Sequence, residues 1–194
     1  MSEYWSTVDS IYGIYLDASQ GFWAARQRHI NEQKFTIRQL KRTSPERANL
    51  EYLDNLQYLY GEGDPRSPDS VVLYKCSQGE FKTRNEKNGS NYRFMANMCL
   101  ITIYHYWEDE YRKRIACALG KKKNQIVSDI MGDIKRLRNS VVHNNAFAKD
   151  SIEKYKILKW FNKGDEIFID WNMFKEIMGY INSFVREFQR ELVS

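Results

Sequence analysis

At 194 residues with 42% hydrophobic content, the chain is long enough for one domain with a substantial core, and its 13 Tyr, 10 Phe and 5 Trp supply large surfaces to bury. Three Pro and ten Gly exclude a loop-rich or disordered chain. The net charge of +5 leans toward an anionic partner such as nucleic acid, although many solvated surfaces carry as much.

Residues 4 to 42 read as one long helix or two, with Trp5, Val8, Tyr12, Tyr15 or Leu16, Ser19 and Phe22 or Trp23 at helical spacing and Gly21 as a bend. Ser44-Pro45-Glu46 reads as a further helix start, continued by Leu50, Leu53, Leu56 or Gln57 and Tyr60. Residues 61–92 change character: Gly61, Gly63, Pro65, Pro68, Gly79 and Gly89 predict a loop-rich insertion, with a short strand or turn of helix at Ser70–Lys75. Ser90 or Asn91 caps the next helix, which runs to Leu119. Phe94, Met95, Met98, Cys99, Leu100, Ile101, Ile103 and Tyr104 make it apolar on most sides, which predicts a central buried helix with His105 as a core histidine. Glu108–Arg112, Asp109–Lys113 and Glu110–Arg114 pairs then mark a solvated end, Gly120 a stop, and Lys121-Lys122-Lys123 a basic loop.

A helix over 126–142 carries Ile126, Ile130, Ile134, Leu137 and Val141 on one stripe, the seam of a packed bundle helix. Tyr155–Phe161 and Glu166–Trp171, either side of Asn162-Lys163-Gly164-Asp165, predict a small β-hairpin. Residues 172–193 close the chain as a helix with Phe174, Ile177, Ile181, Phe184 (or Val185), Phe188 and Leu192 inward. The fold class is therefore mainly all-α: a helical bundle of one domain (residues 1–60 helical, 61–92 inserted, 93–194 core), with a small hairpin before the last helix.

Cys76, Cys99 and Cys117 are odd in number and form no CxxC pair, which argues against a disulfide framework or structural zinc and fits a reducing cytoplasm. No leader pattern opens the chain, and no stretch of about 18 uncharged apolar residues predicts a membrane span. Neither a phosphate-cradling Gly loop nor an HExxH helix occurs, so no cofactor and no metal are expected.

The candidate site is Arg138-Asn139-Ser140-Val141-Val142-His143, near a helix end. Arg holds phosphate with two parallel hydrogen bonds, and His gives or takes a proton near neutral pH. Positions 138 and 143 lie about 140° apart on a regular helix, so they converge only if the helix ends early, if the Arg side chain wraps round, or if a second copy completes the cleft. The plainer alternative makes Arg138 a surface residue and His143 a cation on the helix C-terminal dipole. Arg112, Lys121, Lys122 and Lys123 are candidates for following an RNA backbone; the plainer alternative is a solvated loop.

Ile130 to Asn144, read with Tyr106–Arg112 before it and with Lys156–Phe161 and Gly164–Ile167 after it, resembles the signature region of HEPN domains, over about residues 91–193. These are helical bundles whose Arg-x4-6-His motif is the active site of metal-independent ribonucleases. The resemblance implies attack of an RNA 2′-hydroxyl on the adjacent phosphate, with His143 as acid or base, Arg138 neutralising the transition state and Asn139 orienting His143. It also implies a homodimer with a composite active site, and a toxin or anti-phage defence role with an antitoxin or defence-system partner. HEPN toxins silenced by tyrosine modification carry Tyr two positions after the His; here that position is Asn145, so a nucleotidyltransferase partner is not expected. Two other classes remain: a non-catalytic HEPN module binding RNA or protein, and a plain helical dimerisation domain.

Overall fold

The computed structural model describes residues 1–64, 67–144 and 146–193, the last three without their side chains. Pro65, Asn145 and the Leu192 side chain lie outside that set. The chain is mainly helical. Helix α1 spans Ser2–Thr43, α2 Leu50–Asp54, α3 Gln78–Arg84, α4 Ser90–Tyr106, α5 Arg112–Ala118, α6 Asp129–His143 and α7 Trp171–Val193. Strands β1 (Gln57–Glu62) and β2 (Val71–Ser77) form the one sheet among the described residues. No described helix is long and apolar enough to cross a membrane. The backbone divides into two compact units, Met1–Ala18 with Arg93–Ser194, and Ser19–Tyr92.

The first unit holds the bundle core. Tyr4, Val8, Ile11 and Tyr15 recur at four, three and four residues and bury one stripe of α1. They meet α4 and the turns that follow it through Tyr4 against Trp107 and Tyr111, and α7 through Tyr15 against Phe174 at 4.5 Å between ring centres. Ile130, Ile134 and Leu137 of α6 and Phe174, Ile177, Ile181 and Phe184 of α7 complete the core. Fully burying each such side chain stabilises the fold by about 1.5–3 kcal/mol. Between α4 and α5 the helix widens into a π turn, Trp107–Tyr111, before continuing; Gly120 then stops it at φ +62.

In the second unit, β1 and β2 pair antiparallel with Tyr60 opposite Tyr74. The register slips after Tyr60, and Gly61 is required there because a Cβ would stand 2.8 Å from the Val71 carbonyl oxygen. Behind the hairpin, the His29 ring packs edge-on against Tyr58 and Phe81. Gln33 Nε2 donates to Asp54 Oδ1 and Gln78 Oε1, each at 2.9 Å, and Lys82 Nζ pairs with Asp54 at 2.5 Å. Burial raises the Asp54 carboxyl, but hydrogen bonds from Lys82 and Gln33 outweigh it and leave it below the usual carboxylate range.

Several expectations need correction. The helix begun at Pro45 does not reach Tyr60. Pro45–Arg47 is a single 3-10 turn, Asn49 caps the short α2, and the chain then enters β1. Residues 61–92 are not mainly loop, since β2 and α3 occupy Val71–Arg84. The helix read over 126–142 begins at Asp129, where Ser128 caps it. Helix α4 is not buried all round: Phe94 and Met98 are exposed. His105 is exposed as well, because it stands about 200° round the helix from buried Ile103; its Nδ1 pairs with Asp109 at 2.7 Å.

The hairpin expected over 155–171 does not form; the paired strands are β1 and β2. Backbone donors that a ladder would need are taken by a side chain. The amides of Lys156, Ile157 and Leu158 donate to Asp133, which is fully buried on α6. The later half pairs elsewhere, with Phe147 bridged to Glu166 and Ala148 N–H donating to the Asp165 carbonyl at 2.8 Å. Burial, then the nearby Asp133 carboxylate, pushes the Tyr155 phenol above its ordinary range.

Candidate active site

Helix α6 is oriented by what its buried face must do. Ile130, Ile134 and Leu137 pack inward, and Asp133 ties the helix to the chain that follows. The opposite face therefore carries Lys135, Asn139 and His143 toward solvent, with Arg138 on its flank. The helix continues through His143. Asn144 caps it, giving its amide N–H to the Ser140 carbonyl at 3.1 Å and its side-chain Nδ2 to the Phe147 carbonyl at 2.6 Å. Ala146 turns the chain at φ +64, and its N–H also reaches Ser140. Bonds from Ala148 and Ile167 then hold this turn against residues 165–167.

Within one chain, Arg138 Nη1 lies 3.3 Å from His143 Nε2. The long Arg side chain wraps round the helix and removes the angular obstacle, so a second copy is not needed to bring this pair together. The nitrogen can accept a guanidinium proton only in the imidazole tautomer protonated on Nδ1. Asn139 does not orient His143. Its Oδ1 accepts from Arg138 Nη1 at 3.0 Å, so it steadies the arginine. Exposed Val142 and Phe147 flank the pair.

The basic candidates behave differently from one another. Arg112 is half-buried and committed: its Nε donates to the Ile126 carbonyl at 2.9 Å and its Nη1 to Glu108 Oε2 at 2.9 Å. Lys123 is also committed, to Glu108 Oε1 at 2.7 Å. Lys121 and Lys122 are exposed and remain free to meet an anion.

Sequence reasoning passed over Tyr104, which reads as one more apolar core residue. Its hydroxyl donates to Glu108 Oε2 at 3.4 Å. Burial, then Glu108, pushes the phenol up to about 12, while the Arg112 charge and, less, that of Arg138 pull it down. Burial raises the Glu108 carboxyl, but hydrogen bonds from Lys123 and Arg112 win and hold it low. Lys135 was also passed over, and it makes no hydrogen bond or ion pair with any described residue. The signal that marks it is its position three residues before Arg138, one turn away on the same helix.

A cavity of about 450 Å³ on the same unit is lined by Asp129, Ile157, Tyr180, Phe184 and Glu187, and not by Arg138 or His143. Lys156 pairs Asp129 at 2.6 Å, but Glu187 adds a further carboxylate, so the cavity's size does not make it the place for phosphate chemistry. No cluster of three or more His, Cys, Asp or Glu among the described residues is arranged to hold a metal ion. Chemically, the Arg138–His143 pair combines a fixed cation with a proton carrier on an open surface. Comparison of the chain with known families, characterised proteins and solved structures finds no match.

Proposed function

We propose that the chain is a metal-independent endoribonuclease of HEPN type acting on single-stranded RNA. The observation that carries this reading is the 3.3 Å approach of Arg138 to His143 on an exposed surface. Arg138 spends Nη1 on Asn139 and His143, and its other N–H groups make no bond to a described residue, so they are available to a phosphate oxygen. The RNA 2′-oxygen forms a bond to phosphorus, the bond from phosphorus to the 5′-oxygen breaks, and the products are a 2′,3′-cyclic phosphate and a 5′-hydroxyl. A phosphate oxygen draws the Arg138 guanidinium off His143 Nε2, which frees that lone pair to take the 2′-hydroxyl proton, and Arg138 balances the charge on the five-coordinate phosphorus.

One imidazole cannot be base and acid in the same step. A second copy supplies the proton for the leaving 5′-oxygen, and the exposed apolar Val142 and Phe147 give that copy a rim to pack on. The homodimer therefore rests on proton accounting and on this rim. A toxin or anti-phage role, with an antitoxin or defence-system partner, follows from the HEPN resemblance alone. The free thiols of Cys76, Cys99 and Cys117 support a cytoplasmic location.

Single-stranded RNA incubated with the pure protein in EDTA tests the reading, beside Arg138→Ala and His143→Ala. The expected result is cyclic-phosphate ends from wild type and a loss of roughly 100-fold or more in each variant. Intact RNA with wild type, or equal cutting by both variants, refutes it. A second reading, a non-catalytic HEPN module that binds RNA or a protein, is favoured by the exposed Phe94 and Met98 of α4, which catalysis does not require. RNA affinity without cleavage supports that second reading.

A further inference from the structure

A cavity of about 190 Å³ opens between the N-terminal half of α6 and the π turn; Lys135 lines it, and Arg138 and His143 do not. Tyr104, Trp107 and Met131 give it apolar walls, Gly132 leaves its α6 wall low, and Lys135 stands at its edge. Exposed Val127 forms the other lip. This volume lies below the range of about 300–1,000 Å³ typical of whole small-molecule ligands, so it suits one flat ring. Lys135 precedes Arg138 by three residues, about 4.5 Å along the helix axis and about 60° round it. A cation one short step from a proposed phosphate-holding arginine, beside a slot of ring size, matches the repeat of a polynucleotide: phosphate, base, phosphate.

Electrostatics at the slot are favourable. Glu108 is the single carboxylate among its lining residues, and Arg112 and Lys123 already neutralise it. Lys135 makes no ion pair with a described residue, and such a cation at a cavity mouth is available to an incoming phosphate without first breaking one. The 450 Å³ cavity presents Glu187 as well as Asp129, which Lys156 pairs at 2.6 Å.

We propose that this slot is a nucleotide subsite of the ribonuclease: Lys135 holds the phosphate next to the one cut, and the base between those phosphates enters the cavity beside Tyr104. The proposal rests on the ribonuclease reading above. It makes Lys135 a binding residue for longer RNA and assigns it no part in the chemical step.

The test compares a dinucleotide with a hexanucleotide that contains the same step at its centre, for wild type, Lys135→Ala, Lys135→Arg and Val127→Trp, the last closing the slot from an exposed position. For the hexanucleotide, Lys135→Ala is expected to raise KM about tenfold with kcat unchanged, and to reduce the salt slope of binding by about 0.7, the value for one phosphate contact on a single strand. Lys135→Arg restores most of the loss, and Val127→Trp repeats the KM effect. Dinucleotide cleavage is unaffected by the two Lys135 variants, which touch a phosphate it lacks, and is weakened by Val127→Trp, which closes the slot on a base it still carries. Binding of the hexanucleotide to His143→Ala, with and without Lys135→Ala, reads the same contact in the absence of turnover. If wild type cuts through Arg138 and His143 while Lys135→Ala handles both substrates unchanged, the subsite is refuted and the ribonuclease reading stands. If Lys135→Ala lowers kcat on both substrates equally, Lys135 serves the scissile phosphate and the subsite is again refuted. A wild type that cuts neither substrate removes the ribonuclease reading, and the subsite falls with it.

Discussion

Replacing Asp133 by Asn tests how the bundle holds the segment after the candidate site. The Asp133 carboxylate is fully buried. Its Oδ2 accepts backbone N–H groups from Lys156 at 3.0 Å, Ile157 at 2.7 Å and Leu158 at 3.0 Å, and its Oδ1 accepts from Arg136 Nη1 at 3.0 Å. Asn keeps one acceptor oxygen. If that oxygen serves the three amides, the new NH2 group faces the Arg136 guanidinium, donor against donor. If it serves Arg136, the buried Leu158 amide and the part-buried Ile157 amide lose their acceptor, and Lys156 keeps only its longer 3.2 Å contact to the Oδ1 position. Breaking a buried, hydrogen-bonded charge in this way costs about 3–5 kcal/mol, set against a total stability of about 5–15 kcal/mol for a domain. With a urea slope of about 2 kcal/mol/M, the midpoint for Asp133→Asn falls by roughly 2 M. Urea unfolding followed by far-UV circular dichroism and by Trp fluorescence measures it, since Trp107 and Trp160 both lie in this unit. A midpoint shift under about 0.5 M with an unchanged slope would show that water satisfies these amides, and that Asp133 is not what positions residues 156–158.

Glu108→Gln gives a pH-dependent result. The folded carboxyl sits below its unfolded value of about 4.3, so its stabilisation is fully present above that value and disappears as pH falls through the lower folded one. The stability difference between wild type and Glu108→Gln, roughly 1 kcal/mol at pH 7 for a partly exposed pair, is expected to shrink as pH falls below about 4.3; a difference that stays constant below that pH overturns the linkage. Gly61→Ala pushes a methyl to 2.8 Å from the Val71 carbonyl and is expected to destabilise the hairpin unit by about 1–3 kcal/mol, read as loss of amide-exchange protection over Gln57–Glu62 and Val71–Ser77. Unchanged protection there refutes the steric account.

The readable parts of the sequence are those in which local pattern and burial coincide. Ile130, Ile134 and Leu137 repeat with the helical period and are buried, as are Phe174, Ile177 and Ile181. Patterns decided by distant partners were not readable. Leu53, Leu56 and Tyr60 keep a helical spacing, yet the chain leaves the helix at Asp54 because β2 offers a ladder and Gly61 permits the bulge. Around Gly164, apolar alternation imitates a hairpin, but the amides at 156–158 belong to Asp133, an acidic residue that reads as solvated until its four donors are seen. At the candidate site, the spacing of Arg138 and His143 argued against contact because it describes Cβ directions alone. Arginine's length closes the gap to 3.3 Å, and Asn139 turned out to hold Arg138 instead of His143.

The π turn at Trp107–Tyr111 has a consequence for how this protein can change over time. A π turn is an α-helix carrying one surplus residue. The wider turn absorbs that residue, so losing one here would leave a regular helix whose flanks keep close to their present orientation. Losing one from the regular part of α4 would instead rotate everything beyond by about 100°, swinging Arg112 away from the Ile126 carbonyl and Ile115 out of the core. In descendants of this chain, a one-residue change of length should therefore be found at 107–111 before it is found in α4.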